Sequence, residues 1–144
     1  MKKNIFIFAG MLAIAVWAML AACSKNQDTV PRIGVNTYVY VNNPLNIRLN
    51  APGGWIYVND AGVRGIIVYR KSMDEFLAFD RNCTYQSSNS CATISVDSSQ
   101  VFASDNCCGS QFNIQSGMVT RGPATQPLIQ YRTSFDGSAV HIYN

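Results

Sequence analysis

The chain has 144 residues, a formal net charge of +3, five cysteines and one histidine. One ordinary domain fits that length and a multidomain assembly does not. The charge is small and nowhere gathered into the basic face that nucleic-acid binding requires, and any histidine general base would have to be His141.

Residues 1–22 read as an export signal. Lys2 and Lys3 make a basic start, residues 5–20 are almost wholly apolar, and Leu20-Ala21-Ala22-Cys23 closes the run with small residues before a cysteine. These regions in this order mark a secretory signal rather than a retained spanning helix. The Leu-Ala-Ala-Cys ending resembles the lipobox of exported lipoproteins, in which the cysteine thiol receives a diacylglycerol and the chain is cut just before it. The resemblance implies lipid on Cys23, a membrane partner through the lipidated N-terminus, and a place in the cell envelope facing periplasm or exterior. At roughly 0.8 kcal/mol per buried CH₂, two or three acyl chains hold a protein on a bilayer without a transmembrane helix. Loss of Lys2 and Lys3 with the signal lowers the formal charge from +3 to +1. Residues 23–35 read as a flexible tether, because they are polar, carry Pro31 and Gly34, and show no apolar period.

The domain proper is expected over residues 36–144. Residues 37–41 (Thr-Tyr-Val-Tyr-Val) are β-branched and aromatic, and Leu45, Ile47 and Leu49 alternate with Asn46, Arg48 and Asn50. Pro52-Gly53-Gly54 and Asn59-Asp60-Ala61-Gly62 mark turns around a short apolar run at 55–58. Further runs lie at 66–69, 76–79, 128–133 and 139–143, the last two flanking Phe135-Asp136-Gly137-Ser138. Many short strands with regular turns predict an all-β domain. Residues 81–117 hold four cysteines and many Ser and Asn, and read as pinned loops rather than sheet. Cys83, Cys91, Cys107 and Cys108 are an even set in an oxidising compartment, where disulfides are the default.

The second half resembles a known family. Cys83-Thr84-Tyr85, Cys107-Cys108-Gly109-Ser110-Gln111-Phe112, Gly117-Met118-Val119, Gly122-Pro123-Ala124 and Pro127-Leu128 follow the order and spacing of the Rieske iron–sulfur domain. That family carries a Cys-x-His loop, a Cys-x-x-His-Gly-Ser-x-Phe loop, a Gly-x-Val turn and a Gly-Pro-Ala segment. The resemblance covers about residues 55–142 and implies a Rieske-like antiparallel β-sandwich with a small disulfide-pinned loop subdomain. A Rieske centre binds one iron through two cysteines and the other through two histidines. The resemblance puts those ligand positions on Cys83, Tyr85, Asp105 and Cys108, so one of four ligands is kept and neither loop has a histidine. It therefore implies a degenerate site without a [2Fe–2S] cluster and without another cofactor.

The same resemblance implies a bridge between the two loops, Cys91–Cys107, and faces Cys83 with Cys108 across the emptied site, as a second bridge. Cys83–Cys107 with Cys91–Cys108 remains open as an alternative pairing, while neighbours 107 and 108 would be strained partners. A metal held by Cys83 and Cys108 is the other alternative; adjacent Cys107 and Cys108 point apart and no Cys-x-x-Cys exists.

Asp74, Glu75, Asp80, Asp97, Asp105 and Asp136 are scattered and read as solvated acids, and Tyr38, Tyr40, Trp55, Tyr57 and Tyr69 as core or half-core packing. His141 is expected to point from a sheet face. No catalytic set is visible, so the chain is not read as an enzyme. The expected function is a non-catalytic binding or structural module with an unidentified protein or small-molecule partner. The alternatives are an iron–sulfur or metal-binding electron carrier of the envelope, and thiol–disulfide exchange through Cys107 and Cys108.

Overall fold

The computed structural model describes residues 28–144. The signal-like segment and Cys23 lie outside the described residues. Among the described residues, no helix is long and apolar enough to cross a membrane.

Ten antiparallel strands make two sheets. In chain order they are β1 (Asn36–Tyr40), β2 (Trp55–Val58), β3 (Ile66–Arg70), β4 (Phe76–Asp80), β5 (Ile94–Val96), β6 (Phe102–Asp105), β7 (Gln111–Asn113), β8 (Val119–Arg121), β9 (Gln130–Phe135) and β10 (Ala139–Tyr143). Six strands pair in the order β1-β10-β9-β4-β3-β2, and four in the order β5-β6-β7-β8. The all-β class expected from the sequence is the class observed.

The six-stranded sheet is apolar on both faces at its centre. Ile66 and Val68 of β3 pack with Val39, Leu49, Phe76, Ala78, Val140 and Ile142 in one core. Ile67 and Tyr69 point the other way and pack with Trp55, Phe79, Ile94, Ala103, Phe112 and Leu128 in a second core, beneath the four-stranded sheet. Successive strand residues face opposite sides, so a strand buried on both must be apolar throughout. That is why β3 reads Ile-Ile-Val-Tyr.

Several expectations need correction. Residues 45–49 are not a strand: Pro44–Asn50 is a 3₁₀ segment, with Pro44 at its start and the Asn43 side chain accepting from the Leu45 amide at 3.0 Å. Leu45 and Ile47 are 87% and 66% exposed there, while Leu49 is fully buried. Residues 81–117 are not loops alone, because β5, β6 and β7 lie within them; each strand buries one or two residues, among them Ile94, Ala103 and Phe112. Part of the expected tether is docked: Val30 and Val35 are buried, and Asn144 donates to the Ile33 carbonyl at 2.7 Å and accepts from the Val35 amide at 3.0 Å. Finally, Tyr38 and Tyr40 are exposed rather than core.

Asp80, expected at the surface, is fully buried. Its carboxylate accepts from the amides of Asn82 and Val63, each at 2.7 Å, and from the Tyr131 hydroxyl at 2.6 Å. A buried charge needs such donors, and these three tie β4 to the β2–β3 connection and to β9. Burial, then the hydrogen bond and charge of Asp80, push the Tyr131 phenol well above its ordinary range.

Candidate functional site: two thiols and a carboxylate between the loops

Three connections converge at one end of the second core. The β4–β5 connection carries Cys83, Tyr85 and Cys91. The β6–β7 connection carries Cys107, Cys108, Gly109 and Ser110. The β8–β9 connection carries the cis Gly122–Pro123 peptide and Gln126.

The loops are fastened to each other by ordinary bonds. Cys91 and Cys107 form a disulfide, with Cα atoms 5.7 Å apart. The Thr84 hydroxyl donates to the Gln126 carbonyl at 2.7 Å, and the Ser110 hydroxyl accepts from the Ala124 amide at 2.9 Å. Arg64, from the β2–β3 connection, donates to the Ser90 carbonyl at 2.8 Å, to the Asn89 carbonyl at 2.6 Å and to the Asn82 side chain. Sequence reasoning passed over Arg64 and Ser110. The Gly109-Ser110 motif marked where Ser110 would lie, and nothing local marked Arg64. Gly109 is needed for its φ of +78°, not for a close approach: a Cβ there would meet nothing within 4 Å.

The four ligand positions inferred from the family do not all meet. Cys83, Asp105 and Cys108 come together, with one donor atom of each within 4.8 Å of the others. The Cys83 and Cys108 sulfurs are 3.8 Å apart. Both are thiols, so the expected second bridge is not formed in the structure. Adjacent Cys107 and Cys108 do point apart, one to the surface bridge and the other inward. Tyr85 contributes a backbone amide hydrogen bond to Cys83, while its side chain packs against the second core.

Cys83 is fully buried, Cys108 half-buried and Asp105 1% exposed. Asp105 was expected among the solvated acids and is instead enclosed. One of its oxygens accepts from the Cys107 amide at 2.7 Å, and the other lies 3.2 Å from the Cys108 sulfur. Burial pushes the Cys83 thiol far above the usual thiol range, and Asp105 and Cys108 add to the shift. Cys83 alone is therefore a poor nucleophile, since the thiolate is the reactive form.

A two-iron Rieske cluster does not fit this set. It needs four donors, two on each iron and two of them imidazoles. Among the described residues, three donors are gathered here, with their two sulfurs in near-contact at 3.8 Å. The single histidine, His141, is elsewhere: it lies on β10, stacked between Tyr38 at 4.3 Å and Tyr143 at 4.7 Å, with Nε2 2.7 Å from the Asn36 side-chain oxygen. It projects from a sheet face, as expected. Among the described residues, no serine–histidine–carboxylate set is hydrogen-bonded around it.

No protein-family model matches the chain, and no curated protein matches it. Among solved structures, the chain is similar to one in a complex of reduced oxygenase and oxidized ferredoxin in carbazole 1,9a-dioxygenase. The two share 20% identity at a TM-score of 0.46, over 78% of this chain and 94% of the other.

Proposed function

We propose that this chain is a lipid-anchored envelope protein whose Rieske-like domain holds no [2Fe–2S] cluster and serves as a binding or structural module. The observation that carries the reading is the donor set. Where the family resemblance puts two cysteines and two histidines, the chain gathers Cys83, Asp105 and Cys108, and Tyr85 turns its ring into the core. Without imidazoles on one iron, a cluster also loses what raises the Rieske potential, which weighs against an electron carrier of that type. The anchor rests on Leu20-Ala21-Ala22-Cys23.

The test is direct. The full chain is expressed with its signal, extracted from membranes and assayed for iron, acid-labile sulfide and visible absorption. The reading expects colourless protein with neither element in stoichiometric amount. Two irons and two sulfides per chain, with visible charge-transfer bands, would falsify it. Cys23→Ser is expected to release the chain from the membrane fraction; a variant that stays membrane-bound in the lipidated manner removes the anchor from the reading.

A further inference from the structure

We propose that Cys83, Asp105 and Cys108 form a mononuclear site for a divalent, thiolate-preferring cation of the zinc class. The inference rests on the cluster-free reading above and names the ligand of that same site.

The distances suit one ion. Zinc binds sulfur at about 2.3 Å with tetrahedral geometry, which separates two sulfurs by about 3.8 Å; Cys83 and Cys108 stand 3.8 Å apart. A carboxylate oxygen on the same ion would lie about 3.5 Å from either sulfur. The Asp105 oxygen is 3.2 Å from the Cys108 sulfur, so seating the ion needs a shift of a few tenths of an ångström.

A second argument comes from charge. Asp105 is 1% exposed, and among the described residues its carboxylate has no ion pair with a lysine or arginine. Its partners are the Cys107 amide and the thiols of Cys108 and Cys83. Buried Asp80 is compensated by two amides and a hydroxyl, whereas Asp105 has one amide and otherwise only weak S–H donors; two soft sulfur donors beside it select a zinc-like ion over calcium or magnesium. The amide bond that holds Asp105 through its other oxygen leaves the inner oxygen for the ion, the arrangement that orients metal ligands generally.

Each sulfur has an amide beside it: the Tyr85 amide is hydrogen-bonded to Cys83, and the Ser110 amide lies 3.4 Å from the Cys108 sulfur. Hydrogen bonds of this kind orient metal ligands. Loading is a ligand exchange without electron transfer: the hydrated dication sheds all but one of its waters, binds the Asp105 carboxylate, and displaces one proton from each thiol to solvent. Cys108 is half-buried, so solvent reaches the ion from that side and one water completes the tetrahedron. The Cys91–Cys107 bridge lies outside the set and keeps both loops in place with or without the ion.

The full chain in detergent, stripped with chelator and with its Cys91–Cys107 bridge intact, is titrated with Co²⁺. The expected result is saturation at one ion per chain, with near-ultraviolet sulfur-to-cobalt charge transfer and tetrahedral visible bands, both abolished by Zn²⁺. Cys83→Ser and Cys108→Ser each remove the stoichiometric binding, and Asp105→Asn weakens it by about tenfold or more. Because Cys83 is buried, circular dichroism checks that each variant is folded, and half-buried Cys108 supplies the variant least exposed to that objection. Binding that never saturates, a pale octahedral spectrum, or unaltered binding in folded Cys108→Ser overturns the proposal. So does peptide mapping that finds Cys83 joined to Cys108 in protein taken from cells. Failure of this titration leaves the cluster-free reading standing, whereas iron with labile sulfide overturns that reading itself.

Discussion

Replacing Tyr131 by phenylalanine removes one hydrogen bond and one titrating group from the interior, and the two losses separate by pH. The Tyr131 hydroxyl donates to Asp80 at 2.6 Å, with both side chains buried. Asp80 keeps its amide donors from Asn82 and Val63 in the variant, so the carboxylate is not orphaned. A hydrogen bond to a charged acceptor contributes about 1.5–3 kcal/mol, and about 2 kcal/mol is expected for the loss at neutral pH. The native phenol has its pKa raised by burial and by Asp80. A group whose folded pKa is raised stabilises fully below its unfolded pKa, near 10, and that contribution is lost as pH climbs toward the folded value. Above pH 10 the unfolded Tyr131 chain releases a proton that the native state retains, and stability falls by about 1.4 kcal/mol per pH unit. The variant has no such limb. The gap between the two proteins is therefore expected to shrink from about 2 kcal/mol at pH 8 to about 0.6 kcal/mol at pH 11. Urea unfolding followed by the fluorescence of buried Trp55 measures it, in a Cys23→Ser, Cys83→Ala, Cys108→Ala background that leaves no thiol to attack the surface bridge. A gap that stays constant or widens between pH 9 and 11 refutes the argument.

Three further outcomes are expected from the same unfolding assay. Gly117→Ala is destabilising by about 2–5 kcal/mol, because alanine at a φ of +70° is strained and its Cβ would sit 2.6 Å from the buried Phe79 ring; a neutral substitution removes the packing role given to this turn. Leu49→Ala costs about 2–5 kcal/mol, whereas Leu45→Gln and Ile47→Gln fall within about 0.5 kcal/mol, since only Leu49 is buried. Equal costs at all three positions would restore the strand reading of this segment. Replacing Cys91 and Cys107 together by alanine frees a loop of separation 16 and lowers the stability by about 3 kcal/mol; an unchanged urea midpoint contradicts a constraining role for the bridge.

The strands of the six-stranded sheet were legible because their burial is written in runs. Residues 66–69 and 76–79 are continuous apolar stretches, and the strands there are buried on one side or both. The segment at 45–49 misled because alternation of Leu, Asn, Ile, Arg and Leu has the period of a strand, while the signal that decided it was local: Asn43 capping and Pro44 starting a tight helical segment. The second sheet escaped notice for a different reason. Its strands of three and four residues bury at most two side chains each, too few to establish a period. Nor could the burial of Asp80 and Asp105 be read locally. Asp80 takes a donor from Tyr131, 51 residues away, and Asp105 is enclosed beside Cys83 from another loop. The meeting of Cys83 with Cys108 was expected only through the family resemblance, which also carried a second bridge that the structure lacks.

The loops around Cys83, Asp105 and Cys108 are fastened by bonds that do not pass through the three donor atoms. The Cys91–Cys107 bridge, Thr84 on the Gln126 carbonyl, Ser110 on the Ala124 amide and Arg64 on residues 89 and 90 each close one connection onto another or onto the sheet. None of these bonds uses Cys83, Asp105 or Cys108 as a partner. The two sets touch where the Ser110 hydroxyl lies 3.0 Å from the Cys108 sulfur and where the Cys107 amide donates to Asp105 at 2.7 Å. Substitutions at the donor side chains are therefore expected to change the site while the Cys91–Cys107 bridge and the Thr84 and Arg64 bonds persist. Arg64 touches none of the three donors, so its substitution is expected to act on the fold, whereas substitution of Ser110 reaches both the Ala124 amide and the Cys108 sulfur.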